Sequence, residues 1–97
     1  MNISTRRNDK TTIFDLSGDI DLANSPKVRD SILREIRECH TPLVVVNLSQ
    51  VRYMDSSGVA SLVEGLKASR DLGSRFILVG LSTSTRDVLQ LSPHQGL

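Results

Sequence analysis

The sequence predicts an α/β domain: a mixed β-sheet of about four strands with three or more helices packed on it. Three observations carry this expectation. Short β-branched apolar runs alternate along the chain with stripes of apolar residues at helical spacing. Capping residues stand at the junctions between them, at Ser25-Pro26 and at Asp55-Ser56-Ser57-Gly58. Leu43-Val44-Val45-Val46 is continuous and apolar, as a parallel strand covered on both faces would be.

Residues 2–6 and 11–17 read as two strands around the turn Arg7-Asn8-Asp9-Lys10, whose Asn-Asp centre suits a tight connection. Gly18 is expected to break the second strand and open a loop from Gly18 to Asn24. Ser25 then offers a hydroxyl cap and Pro26 a first-turn proline. Val28, Ile32, Ile36 and Cys39 follow as one apolar stripe, and Thr41-Pro42 stops the helix.

The Leu43–Val46 strand ends in Asn47-Leu48-Ser49, and Val51-Arg52-Tyr53-Met54 leads to the Asp55–Gly58 turn. Val59, Leu62, Val63 and Leu66 form a second helical stripe, closed by Gly73 as a C-terminal cap. Gly65 inside it costs about 1 kcal/mol of propensity, better tolerated where the helix lies close against the sheet. Arg75–Gly80 reads as another buried strand. Ser82, Thr83 and Ser84 then cap a short last helix through Val88, Leu89 and Leu91, ended by Ser92-Pro93. The order is β-β-α-β-α-β-α, with right-handed crossovers.

Residues 1–97 read as one domain, with no repeat and no low-complexity linker. Two Phe, one Tyr and no Trp leave the core to aliphatic side chains. The net charge of +1 supplies no basic stripe for nucleic acid, and no partner of that kind is expected. One cysteine, Cys39, excludes an internal disulfide and a thiolate metal set, which fits a reducing compartment. The first ten residues carry no apolar stretch after their charges, and no apolar run approaches a membrane span. A cytoplasmic protein without direct membrane insertion is the expectation.

No phosphate loop, dinucleotide fingerprint, nucleophile elbow or HExxH motif is present, so neither an enzyme nor a cofactor is expected. His40 and His94 read as exposed polar residues. Asp19, Asp21 and Asp55 are the carboxylates in candidate loops, and Asp19 and Asp21 lack metal-ligand spacing with a histidine. What remains is the strand–turn–helix junction at residues 53–58, because open α/β sheets present ligand-facing loops at the carboxyl ends of their strands. Helix capping explains one of Asp55, Ser56 and Ser57 well, and four small or polar residues in a row less well. A hydroxyl at a helix N-terminus also suits a phosphate, since unpaired N–H groups and the helix dipole favour an added dianion. On spacing alone, capping is the favoured role.

The motifs shift that balance. Leu16-Ser17-Gly18-Asp19-Ile20-Asp21, Val45-Val46-Asn47-Leu48-Ser49, Tyr53-Met54-Asp55-Ser56-Ser57-Gly58 and the segment from Gly73 to Leu81 resemble, over nearly the whole chain, the STAS domain family and its stand-alone bacterial anti-sigma-factor antagonists. The resemblance implies the STAS fold and a non-enzymatic switch in the regulation of transcription. Ser56 would be the phosphoacceptor, with Asp21, Asp55, Ser56, Ser57 and Gly58 at the partner surface. The implied partners are an anti-sigma factor that is itself a serine kinase, bound by the unphosphorylated form so that sigma is released, and a phosphoserine phosphatase. An alternative within the family is a subunit of a lipid-transport ABC system that binds the ATPase. Two departures stand out: Asp19 replaces the family's glutamate, and the ending Leu91–Leu97 lacks the usual "S-G-L" and phenylalanine-bearing segment. A short or truncated C-terminal segment, leaving apolar surface for a homodimer, is therefore expected.

Overall fold

A computed structural model describes residues 1–80. Its elements are β1 (Asn2–Asn8), β2 (Thr11–Ile20), α1 (Ser25–Arg37), β3 (Leu43–Met54), α2 (Ser56–Leu72) and β4 (Arg75–Val79). They form one four-stranded sheet in the order β1-β2-β3-β4. β1 runs antiparallel to β2, whereas β2–β3 and β3–β4 are parallel. The expected mixed sheet is present, built from one hairpin and two β-α-β units. The third helix expected over Ser82–Leu91, and His94 after it, lie outside the described residues.

The core sits between the sheet and the two helices. α1 contributes Val28, Ile32 and Ile36, each 1% exposed, and α2 contributes Leu62. The sheet answers with Phe14 and Leu16 from β2, Val44, Val46 and Leu48 from β3, and Phe76 from β4. Each fully buried side chain of this size contributes about 1.5–3 kcal/mol of transfer free energy. In β2 and β3 the buried positions alternate strictly at first: Thr12, Phe14 and Leu16, then Val44, Val46 and Leu48. The continuous Leu43–Val46 run is thus buried on one face and only half-buried on the other, at Leu43 and Val45. A β-branched run does not by itself report how many faces are covered.

Several boundaries differ from the expectation, each for a local reason. β1 extends to Asn8, and the turn is Asp9-Lys10, with Asp9 at φ 55°. Gly18 does not end β2. At φ 85° it accommodates a distortion, flanked by register shifts at Asp15/Ser17 and Gly18/Asp19, and pairing resumes through Ile20↔Met54. β3 likewise continues from Leu43 to Met54 as one strand. α1 ends at Arg37, so Cys39 is exposed beyond the stripe and His40 occupies an exposed turn at φ 52°. Gly65 answers the close-packing expectation: an added Cβ would lie 2.8 Å from Ile32 Cγ2 and 3.1 Å from Phe76 Cζ.

One feature had no sequence counterpart. Glu35, on the inward face of α1, is 4% exposed. Its carboxylate accepts hydrogen bonds from the Thr12 hydroxyl, from the Thr41 hydroxyl (2.8 Å) and from the Arg7 guanidinium (2.9 Å). Burial pushes its pKa upward, but the two hydroxyls and Arg7 outweigh that and hold it below the ordinary glutamate value. The signal was available, because Glu35 lies three residues after Ile32 and beside Ile36 on the apolar stripe.

Candidate functional site

The carboxyl ends of β2 and β3 converge with the N-termini of α1 and α2, as expected for the ligand-facing end of such a sheet. Asp55 is the joint. Its backbone is extended, at φ −87° and ψ −176°, and its N–H donates to the Ile20 carbonyl at 3.1 Å. Its Oδ1 accepts from the amide N–H of Ser57 (2.9 Å), the amide N–H of Gly58 (3.1 Å) and the Ser57 hydroxyl. One carboxylate thereby closes the strand pairing and caps α2. The Ser57 hydroxyl is the largest influence holding the Asp55 pKa below its ordinary value. Partial burial opposes it, and the N–H groups of Gly58, Ser57 and Leu22 add to the lowering.

This geometry assigns different roles to the four residues of the Asp-Ser-Ser-Gly string. Asp55 is the cap, Ser57 is half-buried and bonded to it, and Gly58 is buried. The requirement for glycine at position 58 is proximity rather than turning, since an added Cβ would lie 2.5 Å from Met54 Cγ and 2.9 Å from Ile20 Cγ2. α2 begins at Ser56 itself, not after Gly58 as the spacing suggested. Ser56 is exposed, and its hydroxyl makes no hydrogen bond among the described residues.

The second half of the site is the loop from Asp21 to Asn24. The Asp21 carboxylate accepts from the N–H groups of Ala23 (3.0 Å) and Asn24 (3.2 Å). Asn24 in turn accepts from the Asp21 N–H and donates to the Asp19 carbonyl, both at 2.9 Å. Asn24, not Ser25, takes the cap position of α1, and its side chain is spent on the loop. Ser25 is buried, and its carbonyl accepts from the Ser61 hydroxyl at 3.2 Å, which locks the two helix N-termini together. Asp19 stays in β2 and faces Arg52 at 3.4 Å. The structure therefore gathers Asp21, Asp55, Ser56, Ser57 and Gly58 at one end of the sheet. Asn24 and Ser61 were not legible as site residues, because only the fold brings their partners near.

Two of the first-turn N–H groups expected to welcome a phosphate are already taken by Asp55. An added dianion at Ser56 would meet a carboxylate held in its charged form. His40, in the turn before β3, lies at the opposite end of that strand from Ser56. No group of three or more metal-ligating side chains is found among the described residues, and no described helix is long and apolar enough to cross a membrane.

Comparison with known proteins places this architecture. The anti-sigma-B factor antagonist of Listeria monocytogenes is 30% identical over 104 residues, covering 97% of this chain and 89% of that protein. The protein of the same name from Staphylococcus aureus is 32% identical over 82 residues, covering 84% and 75%. Among solved structures, the anti-sigma factor antagonist SpoIIAA in its unphosphorylated form superimposes with a TM-score of 0.82 at 24% identity, covering 95% of this chain and 84% of that one. The phosphorylated form of SpoIIAA, a Bacillus cell fate determinant, gives 0.80 at 23% identity, covering 92% and 81%. The STAS domain profile matches residues 2–96, and with it the four-stranded sheet and the Asp55-capped helix find their place: the chain belongs to the STAS domain family.

Proposed function

We propose that this protein is an anti-sigma-factor antagonist whose binding to an anti-sigma-factor serine kinase is switched off by phosphorylation of Ser56. The observation that carries the reading is the contrast between the two serines. Ser56 is exposed at the start of α2 and its hydroxyl makes no hydrogen bond among the described residues, whereas the Ser57 hydroxyl is bound to Asp55. A kinase needs an acceptor that can enter its active site without dismantling the substrate, and Ser56 meets that condition. The relatives named anti-sigma-B factor antagonists support the same role.

The chain contributes no catalysis of its own; the chemistry belongs to the partner. Phosphorylation adds about −1.5 to −2 charges next to the Asp55 carboxylate. Because Asp55 already occupies the amides of Ser57 and Gly58, the new charge gains little from the helix end and stays on the surface. A partner covering this end must then desolvate a dianion beside a carboxylate, and it releases. A phosphoserine phosphatase resets the switch. Residues 1–97 act as a single cytoplasmic domain in this scheme, and Asp21 contributes by shaping the loop beside the acceptor.

The test is intact mass after incubation with the cognate kinase and ATP. One added phosphate is expected on the wild-type protein and none on Ser56→Ala. Labelling of Ser56→Ala would sink the site assignment. A Ser56→Asp protein that binds the kinase as tightly as wild type would sink the charge mechanism. Co-purification with a transporter ATPase and no labelling by any kinase would instead favour the lipid-transport role.

A further inference from the structure

Leu22 and Tyr53 are the two most exposed large hydrophobic side chains among the described residues, at 76% and 58%. Both stand at the Ser56 end of the molecule. Tyr53 lies in β3 two residues before the Asp55 cap and pairs across the sheet with Asp19. Leu22 lies in the loop that follows β2, and its backbone N–H faces the Asp55 carboxylate. The fold does not need either side chain where it is. The loop is held by Asp21 and Asn24, whose side chains bond backbone groups of Asp19, Asp21, Ala23 and Asn24. The Asp21 carboxylate and the Asn24 amide bond within the loop, while its one large apolar side chain, Leu22, is exposed.

We propose that Leu22 and Tyr53 are the apolar anchors by which the kinase docks, separate from the serine that it phosphorylates. This rests on the reading of Ser56 as acceptor. Three observations single out that occupant. Tyr53 precedes Ser56 by three residues at the end of β3, and the loop carrying Leu22 faces Asp55, so a kinase that brings ATP to this hydroxyl covers their end of the sheet. The loop is already ordered by its own hydrogen bonds, so burying Leu22 costs little further conformational entropy. The polar rim is acidic, with Asp19, Asp21 and Asp55 against Arg52, so the complementary face is an apolar pocket bordered by basic groups. Tyrosine is enriched at interface hot spots, and aromatic and aliphatic side chains serve together as anchors that fill such pockets.

The test is steady-state phosphorylation of the full chain by the anti-sigma-factor serine kinase of the same genome, comparing wild type with Leu22→Ala, Tyr53→Ala and Leu72→Ala. Leu72 is the control. It is also an exposed leucine, 52% accessible, but it ends α2, about 25 Å along the helix from Ser56. The expected result is a KM raised about tenfold or more for Leu22→Ala and Tyr53→Ala, with kcat within about twofold, and no change for Leu72→Ala. Circular dichroism matching wild type confirms that all three variants fold. An unchanged KM at both positions, or an equal rise for Leu72→Ala, overturns the proposal while leaving Ser56 as acceptor. Self-association that disappears in Leu22→Ala with KM unmoved assigns the patch to a second copy and also overturns it. A wild-type protein that no kinase labels defeats the Ser56 reading itself, and the anchors with it.

Discussion

Two carboxylates, Glu35 and Asp55, work at opposite ends of the same sheet, and the contrast between them separates folding from function. Glu35 is buried at the amino ends of the parallel strands, where it gathers Thr12 at the start of β2, Thr41 before β3 and Arg7 near the end of β1. Asp55 lies at the carboxyl ends, where it gathers the first turn of α2 and faces the Leu22 N–H. Each accepts several hydrogen bonds, and each is held below its ordinary pKa. They differ in what stands beside them. Glu35 is enclosed by groups that all point at it, so its network ends there. Asp55 is half-buried and its neighbour Ser56 is exposed, so its network borders a hydroxyl open to solvent. A satisfied buried charge specifies packing, whereas a satisfied surface charge can preorganise a site.

The largest effect expected from breaking this contrast is at the buried end. Glu35→Ala leaves the hydroxyls of Thr12 and Thr41 without their acceptor and should cost about 3 kcal/mol in urea unfolding. The folded fraction should still be phosphorylated at the wild-type rate; loss of labelling in folded protein would merge the two regions into one. Next comes Gly58→Ala, which drives a methyl group into Met54 and Ile20. A cost of about 1–3 kcal/mol is expected, accompanied by faster amide exchange at Ser57 and slower labelling of Ser56. Here stability and function should fall together, unlike at Glu35.

Arg7→Ala is the smaller test at the buried end. The Arg7 side chain is 63% exposed, so its ion pair is screened. Its loss should cost under about 1 kcal/mol and shrink further at high salt. The smallest effect should come from Asp55→Asn, since asparagine also caps helices well and Tm should fall only slightly. The difference should appear in pH dependence. Both carboxylates have folded-state pKa values below the ordinary range of about 3.9–4.3. Their contribution is therefore complete above that range and is lost as pH falls through the lower folded-state values. Acid titrations of unfolding should be shallower for Glu35→Gln and Asp55→Asn than for wild type. An unchanged acid limb in both would show that neither carboxylate is held in its charged form by its hydrogen bonds.

Most of the architecture was legible because it depends on local patterns. Val28, Ile32 and Ile36 recur at helical spacing, Asp55 precedes a helical stripe, and Gly73 closes it in the left-handed conformation expected of such a cap, at φ 72°. The misread strand boundaries involve pairing between strands. Gly18 and Asn47-Leu48-Ser49 read as strand ends, since glycine and asparagine disfavour strands, yet register shifts between β2 and β3 absorb them. A strand's length is decided by its partner, and the partner lies about thirty residues away.

The same division runs through the site. The sequence by itself determined that Asp55-Ser56-Ser57-Gly58 joins a strand to a helix and that the hydroxyls would stand near its N-terminus, because capping chemistry is local. Only the tertiary structure decided which serine is engaged, why position 58 must lack a side chain, and that Leu22 and Tyr53 share the end where Ser56 lies. Those outcomes depend on Ile20, Met54 and the Asp21–Asn24 loop reaching one place in space. Hydrogen bonds and steric contact act over a few ångströms, and no spacing along the chain encodes which distant groups come within that reach.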